Sequence, residues 1–173
     1  MEDDYDLSQL RTKPKRKNSR TKGNTFERQI AKALNDRFKT TEFSRSPGSG
    51  AFATTHTLPE HLKIYGDLIT PDKFKYCIEC KKGYNHLNLY SLYNYSSEFW
   101  KFIEQSEKDS EKCSKIPMVI FKQDRQPILA ILPKGATEGF EDNLKHIDIH
   151  KNKTYRVYLF NELLTCWDSI WFA

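Results

Sequence analysis

The chain has 173 residues, 38% of them hydrophobic and 13% aromatic, enough to build one domain around its own core. No run nears the roughly 18 apolar residues of a membrane span, the acidic and then basic start is unlike a signal peptide, and four scattered cysteines (77, 80, 113 and 166) argue against a secreted disulfide scaffold. The formal charge is +5; Glu2, Asp3, Asp4 and Asp6 contribute −4 with no base among residues 1–10, so the remainder stands at +9, a balance that favours a polyanionic partner without requiring one.

Between Arg11 and Lys22 there are seven basic residues, no acid and no large apolar side chain. Such a segment cannot bury a face, so residues 1–22 are expected to form a mobile arm and residues 23–173 a single folded domain. Arg16, Lys17, Arg20 and Lys22 are the expected contacts of that arm with DNA phosphates; a solvated tail, partly neutralised by the acids at its start, is the competing reading. Asn24 can cap a helix running to about Phe38, because Phe26, Ile30, Ala33, Leu34 and Phe38 recur at helical spacing. Glu27 lies in line with Ile30, Ala31 and Leu34, which aims it at the protein body. It is also three residues after Asn24, where it would close a capping box, and the spacing leaves both readings open.

A short strand is expected around Glu42–Arg45, followed by the loop Ser46-Pro47-Gly48-Ser49-Gly50, whose glycines free the backbone and whose serines offer hydroxyls. The loop continues to about Lys63, a length typical of binding segments and of disordered ones. Gly66–Thr70 reads as a strand, Pro71-Asp72-Lys73 as a turn and Phe74–Lys82 as its antiparallel partner. Along that partner Phe74, Tyr76, Ile78 and Cys80 alternate with Lys75, Cys77, Glu79 and Lys81, so one face is expected to be buried and the other to present chemistry. Tyr84, Tyr90, Tyr93, Tyr95 and Trp100 come next, suited either to stacking on unpaired bases or to packing between sheet and helix. A helix near Glu98–Lys112 turns Phe99, Phe102 and Ile103 inward and Gln105, Glu107, Lys108 and Glu111 outward. Strands are expected at Ile116–Lys122, Pro127–Leu132 and Tyr155–Phe160. A closing amphipathic helix carries Leu163, Leu164, Trp167, Ile170 and Trp171, whose tryptophans suit the core or a dimer face.

Glu79 and Lys81, two apart on one strand, project from the same face, and a hairpin can fold Asp67 back beside them. Phosphodiester hydrolysis uses such a set: hard carboxylate oxygens hold Mg²⁺, and a lysine orients or helps deprotonate the attacking water. The backbone carbonyl of Cys80, between the two side chains, offers a further oxygen to the metal. Cys77 and Cys80 have the spacing of zinc and redox motifs, but residues three apart on a strand point to opposite faces and their sulfurs diverge. The histidines at 56, 61, 86, 146 and 150 are expected at the surface.

The runs Lys22-Gly23-Asn24-Thr25-Phe26-Glu27, Arg45-Ser46-Pro47-Gly48-Ser49-Gly50, Gly66-Asp67-Leu68-Ile69 and Ile78-Glu79-Cys80-Lys81 resemble, in order and spacing, those of the archaeal-type Holliday junction resolvases within the PD-(D/E)xK nuclease superfamily. The resemblance implies a restriction-endonuclease-like α/β core, a mixed central sheet flanked by helices, followed here by a C-terminal extension. It also implies a homodimer that cuts four-way DNA junctions with Mg²⁺, for which Mn²⁺ would substitute. Carried over position by position, its site comprises Glu27, Ser49, Asp67, Glu79 and Lys81, with Glu27, Asp67 and Glu79 at the metal; Arg45 and Lys82 join the arm in gripping DNA. The family usually has proline before the aspartate where this chain has Gly66, and the stretch beyond about Pro133 has no recognised counterpart. Gln105 resembles a glutamine on the corresponding helix of several nucleases in the superfamily, although an outward glutamine on a helix surface is the simpler reading. A flap, a mismatch or a restriction-type site is the alternative target, and a DNA-binding module without turnover the alternative class. The expected setting is the cytoplasm, on DNA, in a prokaryotic or viral source.

Overall fold

A computed structural model describes residues 19–47, 65–138 and 144–173. The chain is already helical at Ser19: α1 (Ser19–Phe38) buries Phe26, Glu27, Ile30, Ala31 and Leu34 along one stripe. Arg20 and Lys22, expected in the arm, therefore sit in the first turns of this helix, and Asn24 lies inside it rather than at its cap. Asn35 clamps the following segment with both ends of its amide, accepting from Phe43 N–H at 3.0 Å and donating to Phe43 O at 2.8 Å. This clamp sets β1 (Ser44–Arg45), which pairs antiparallel with β2 (Leu68–Ile69), Arg45 opposite Leu68.

The main sheet comprises β3 (Tyr76–Lys82), β4 (Ile116–Lys122), β5 (Leu129–Pro133), β6 (His146–His150) and β7 (Thr154–Leu159), in the order β3-β4-β5-β7-β6. β3 and β4 run parallel, Glu79 opposite Val119, and the other pairs are antiparallel. A parallel pair needs a long crossover. Helix α2 (Glu98–Cys113) supplies it and ends at Ser114, whose left-handed backbone (φ 54°) directs its N–H back to the carbonyls of Ser110 and Glu111. Because side chains alternate along a strand, Met118 and Ile120 join α1 in one core while Val119 and Phe121 join Phe99, Phe102 and Ile103 of α2 in another. The expected mixed sheet flanked by helices is thus the observed one. Among the described residues no helix is long and apolar enough to cross a membrane.

Four further expectations are revised. The hairpin joining Gly66–Thr70 to Phe74–Lys82 is not a regular ladder: β2 pairs with β1, and the backbone bond to β3 runs from Asp67 N–H to Ile78 O at 2.8 Å. β3 does not leave one face bare, since Cys77 and Glu79 are buried beneath α2. The stretch beyond Pro133 is no appendage. The closing amphipathic helix is two short turns, α3 (Phe160–Leu163) and α4 (Asp168–Trp171). Trp171 is fully buried, its ring centroid 5.9 Å from that of Phe74 and 5.8 Å from that of Tyr76. Lys75 N–H donates to Trp171 O at 2.9 Å and Phe74 bridges Phe172, so this segment covers the outer edge of the chain leading into β3. Arg37 of α1 ties the same region down with bonds to Leu164 O (2.6 Å), Cys166 O (2.8 Å) and Asp168 (2.8 Å).

Candidate active site

Gly66 makes the site possible. Its backbone is left-handed (φ +75°), and a Cβ there would lie 2.8 Å from Ile78 O and 3.0 Å from Cys77 Sγ. Only glycine tolerates both the conformation and the approach, which presses the next residue against β3. Asp67 is then held twice, its N–H on Ile78 O and its Oδ2 accepting from Cys80 N–H at 2.8 Å. Ser46 steadies the same turn: its N–H donates to Asp67 O at 2.9 Å and its hydroxyl to Gly66 O at 3.1 Å. A proline, with φ fixed near −65°, cannot occupy position 66 in this geometry, which accounts for the departure from the usual motif.

Glu79 points to the α2 side of β3 and accepts from Lys81 Nζ. The same ammonium donates to Gln105 Oε1 of α2 at 3.0 Å and stands 5.4 Å above the Phe102 ring. Glu27 reaches in from α1 and accepts from Arg45 Nε at 2.5 Å; Arg45 also donates to Asn24 Oδ1 at 3.1 Å. The capping-box reading of Glu27 gives way to the inward one. Glu27, Asp67, Glu79, Lys81 and Gln105 line one cleft of about 660 Å³, with Lys22 and Lys82 also in its wall.

The electrostatics follow from crowding like charges in a dry place. Burial pushes the Glu79 carboxyl up to about 7, the charge of Asp67 adding to the effect and Lys81 opposing it. Burial and then Asp67 raise Glu27 as well, against the pull of Arg45. Burial works against the Lys81 charge, yet Glu79 and then Asp67 hold its pKa above the ordinary lysine value. Of the three buried carboxylates, Glu79 is paired with Lys81 and Glu27 with Arg45. The elevated proton affinities express burial first and the crowding of like charges second, and hard oxygen donors gathered in this way suit a divalent cation. Among the described residues no three His, Cys, Asp or Glu side chains are gathered into a ready-made metal cluster. One oxygen each of Glu79 and Glu27 is instead held by Lys81 and by Arg45.

Ser49, Arg16 and Lys17 lie outside the described residues, and Arg20 does not line the cleft. Arg45, expected on DNA, is turned onto Glu27 and Asn24, and Lys82 stands 5.8 Å over the Phe26 ring. Gln105, expected more simply as an outward surface residue, instead meets Lys81, in line with its likeness to the helical glutamine of related nucleases and with its place three residues after the inward Phe102; Ser46, expected only as part of the loop, steadies the turn that holds Asp67. The cysteines are free, and the Cys77 and Cys80 sulfurs do diverge, Cys77 lying near Cys113 and Cys80 in the core under α1. Of the aromatic segment, Trp100 is buried and Tyr84 packs on Phe102, whereas Tyr90 and Tyr93 stand in solvent. The two C-terminal tryptophans divide as well, Trp171 entering the core while Trp167 is 80% exposed.

A mixed sheet whose edge strand bears Glu79-Cys80-Lys81, with an aspartate docked beside it and a helical glutamate opposite, is a PD-(D/E)xK nuclease-like core. Residues 18–171 match the family model described as "Phage putative PDDEXK endonuclease", and the chain belongs to this family of phage PD-(D/E)xK endonucleases. It is 35% identical over 132 residues to "Protein D14" of Escherichia phage T5, an alignment spanning 73% of this chain and 76% of that protein. No solved structure matches it significantly. The family match carries the superfamily and not the narrower likeness to junction resolvases.

Proposed function

We propose that this protein is a magnesium-dependent endonuclease that hydrolyses DNA phosphodiester bonds in the cleft between α1 and the end of β3. The observation that carries the reading is the convergence of three buried carboxylates on one lysine-bearing cleft. Asp67 and Glu79 would hold the cation, with the Cys80 carbonyl and Glu27 completing its oxygen shell, and Mn²⁺ would substitute. A divalent ion at such a place supplies Lewis-acid stabilisation of the phosphate and lowers the pKa of water. Lys81, steadied by Gln105, positions the attacking water and takes part in moving its proton. Lys22 and Lys82, with Arg16, Lys17 and Arg20, hold the DNA backbone, Ser49 contacts phosphate or metal, and Arg45 orients Glu27.

For the substrate we favour branched DNA, a four-way junction cut by a homodimer, in the cytoplasm of an infected cell. The ordered motif runs from Lys22 to Lys82 support this choice, and two sites related by a two-fold axis suit two opposed strands. The test is a panel of four-way junction, flap and blunt duplex of matched sequence, with and without Mg²⁺ or Mn²⁺. Nicking is expected only with metal and fastest on the junction, and K81A is expected to slow it by roughly 10²- to 10⁴-fold. Equal rates on all three substrates would remove the junction preference. No nicking with either metal, alongside retained DNA binding, would make the chain a binding module.

A further inference from the structure

We propose that the segment just beyond β3 is a stacking platform for unpaired nucleobases, an inference that rests on the cleft being a DNA site. Leu89, Tyr90, Tyr93 and Tyr95 are 75, 82, 86 and 52% exposed. They make up four of the seven large apolar side chains exposed among the described residues, gathered within seven positions. Isolated exposed apolar groups need no explanation, but a concentrated set marks an interaction surface.

The backbone beneath them is fixed. Asn88 and Ser91 form a reciprocal capping box around the short 3-10 turn Leu89–Leu92. The Ser97 hydroxyl donates to Ser91 O at 2.8 Å, and the buried Trp100 donates its indole N–H to Leu92 O at 3.1 Å. The rings are thus held out in water on a rigid mount, so little ordering remains to be done when a partner binds.

The chemistry of the segment selects that partner. From Cys80 to Ser97 there is no Asp or Glu, while Lys81, Lys82 and four tyrosines are interspersed with Asn85, Asn88 and Asn94. Carboxylates beyond it are already engaged: Glu98 lies 2.8 Å from the His86 ring, and Glu104 lies 2.7 Å from the Lys151 ammonium. Lys151 stands 5.9 Å from the rings of both Tyr95 and Trp100. The segment itself carries no carboxylate to repel a polyphosphate backbone, Asp124 beside it being held by the Asn85 amide at 2.9 Å, and bare tyrosine faces stack on any base. The segment is also continuous with the cleft. Tyr84 and Asn85 belong to the cleft wall, and the Tyr84 ring packs 4.7 Å from Phe102, the ring beneath Lys81. The substrate class this surface selects is DNA with a single-stranded arm or opened bases beside the bond to be cut.

The test compares the affinities of a forked duplex with an unpaired thymidine arm and a blunt duplex of the same paired sequence, by fluorescence anisotropy in metal-free buffer. Wild type is expected to prefer the fork. The Y90A/Y93A double variant is expected to lower the fork-to-duplex affinity ratio about tenfold, whereas W167A, altering another exposed ring, leaves the ratio unchanged. An unchanged ratio in Y90A/Y93A, or a wild type indifferent to the unpaired arm, would overturn the platform. So would concentration-dependent self-association abolished by Y90A/Y93A, which would make the surface a protein interface. Because binding is read without metal, failure of cleavage in the substrate panel does not enter this result.

Discussion

Replacing Gly66 by alanine tests the turn on which the site is built. A left-handed backbone costs an L residue roughly 1–2 kcal/mol, and the added Cβ would meet Ile78 O at 2.8 Å, a β3 backbone atom that cannot rotate away. Relieving that contact adds about 1–3 kcal/mol, so G66A is expected to lose roughly 3 kcal/mol in all. In a chain of this size each kcal/mol moves Tm by about 2–4 °C, giving a fall of roughly 6–12 °C by calorimetry or circular dichroism. Gly83 is the internal control: its φ is +100°, yet a Cβ there has nothing within 4 Å. G83A should therefore show only the conformational part, and the difference between the two variants isolates the contact with Ile78. G66P, which restores the more usual motif residue, is expected to be worse than G66A, because proline cannot adopt a positive φ. If G66A melts within a degree or two of wild type, or no lower than G83A, the docking of Asp67 does not depend on this close approach.

Glu79 links stability to pH. With its folded pKa raised from an ordinary 4.5 to about 7, the native state holds more protons than the unfolded chain between those values. Its contribution to stability therefore declines as pH rises through that window, and E79Q should flatten the curve of urea midpoint against pH from 5 to 8 in EDTA; parallel curves for the two proteins would contradict the assignment. R45A strips the buried Glu27 of its cation and should destabilise the fold by about 1–3 kcal/mol in urea unfolding, with R45K recovering part of the loss; no change would mean that the pair carries no weight. W171A should cost about 3–5 kcal/mol, the range for a fully buried aromatic, and a loss under about 1 kcal/mol would show that the C-terminal turns are not core.

Much of this architecture was legible because periodicity carries it. The spacing of Phe26, Ile30 and Leu34 gave α1 its buried stripe, and the alternation along Tyr76 to Lys81 put Glu79 and Lys81 on one side of β3. Pairing was less legible, since β2 is too short for its pattern to say whether it binds β1 or β3. β6 went unseen because His146, Asp148 and His150 read as polar, whereas the buried Arg156 of β7 bonds Asp148 and makes that polarity structural. The partners of the charged residues were hidden for a different reason. That Arg45 turns to Glu27 and Gln105 to Lys81 depends on the distance between elements, which no local spacing records.

The seal that Trp171 and Phe172 place on the approach to β3 sets an order of events during synthesis. Phe74 leaves the ribosome almost a hundred residues before its bridging partner, a delay of roughly 5–20 s at ordinary elongation rates. For much of that interval the nascent chain carries Glu27, Asp67 and Glu79 but lacks the flank that covers the approach to β3, so the cleft cannot take its final form until Trp171 and Phe172 have emerged. Ribosome-bound chains arrested before residue 167 should accordingly be digested far faster by added protease than those arrested with residue 173 outside the exit tunnel, and equal resistance would dispose of the idea.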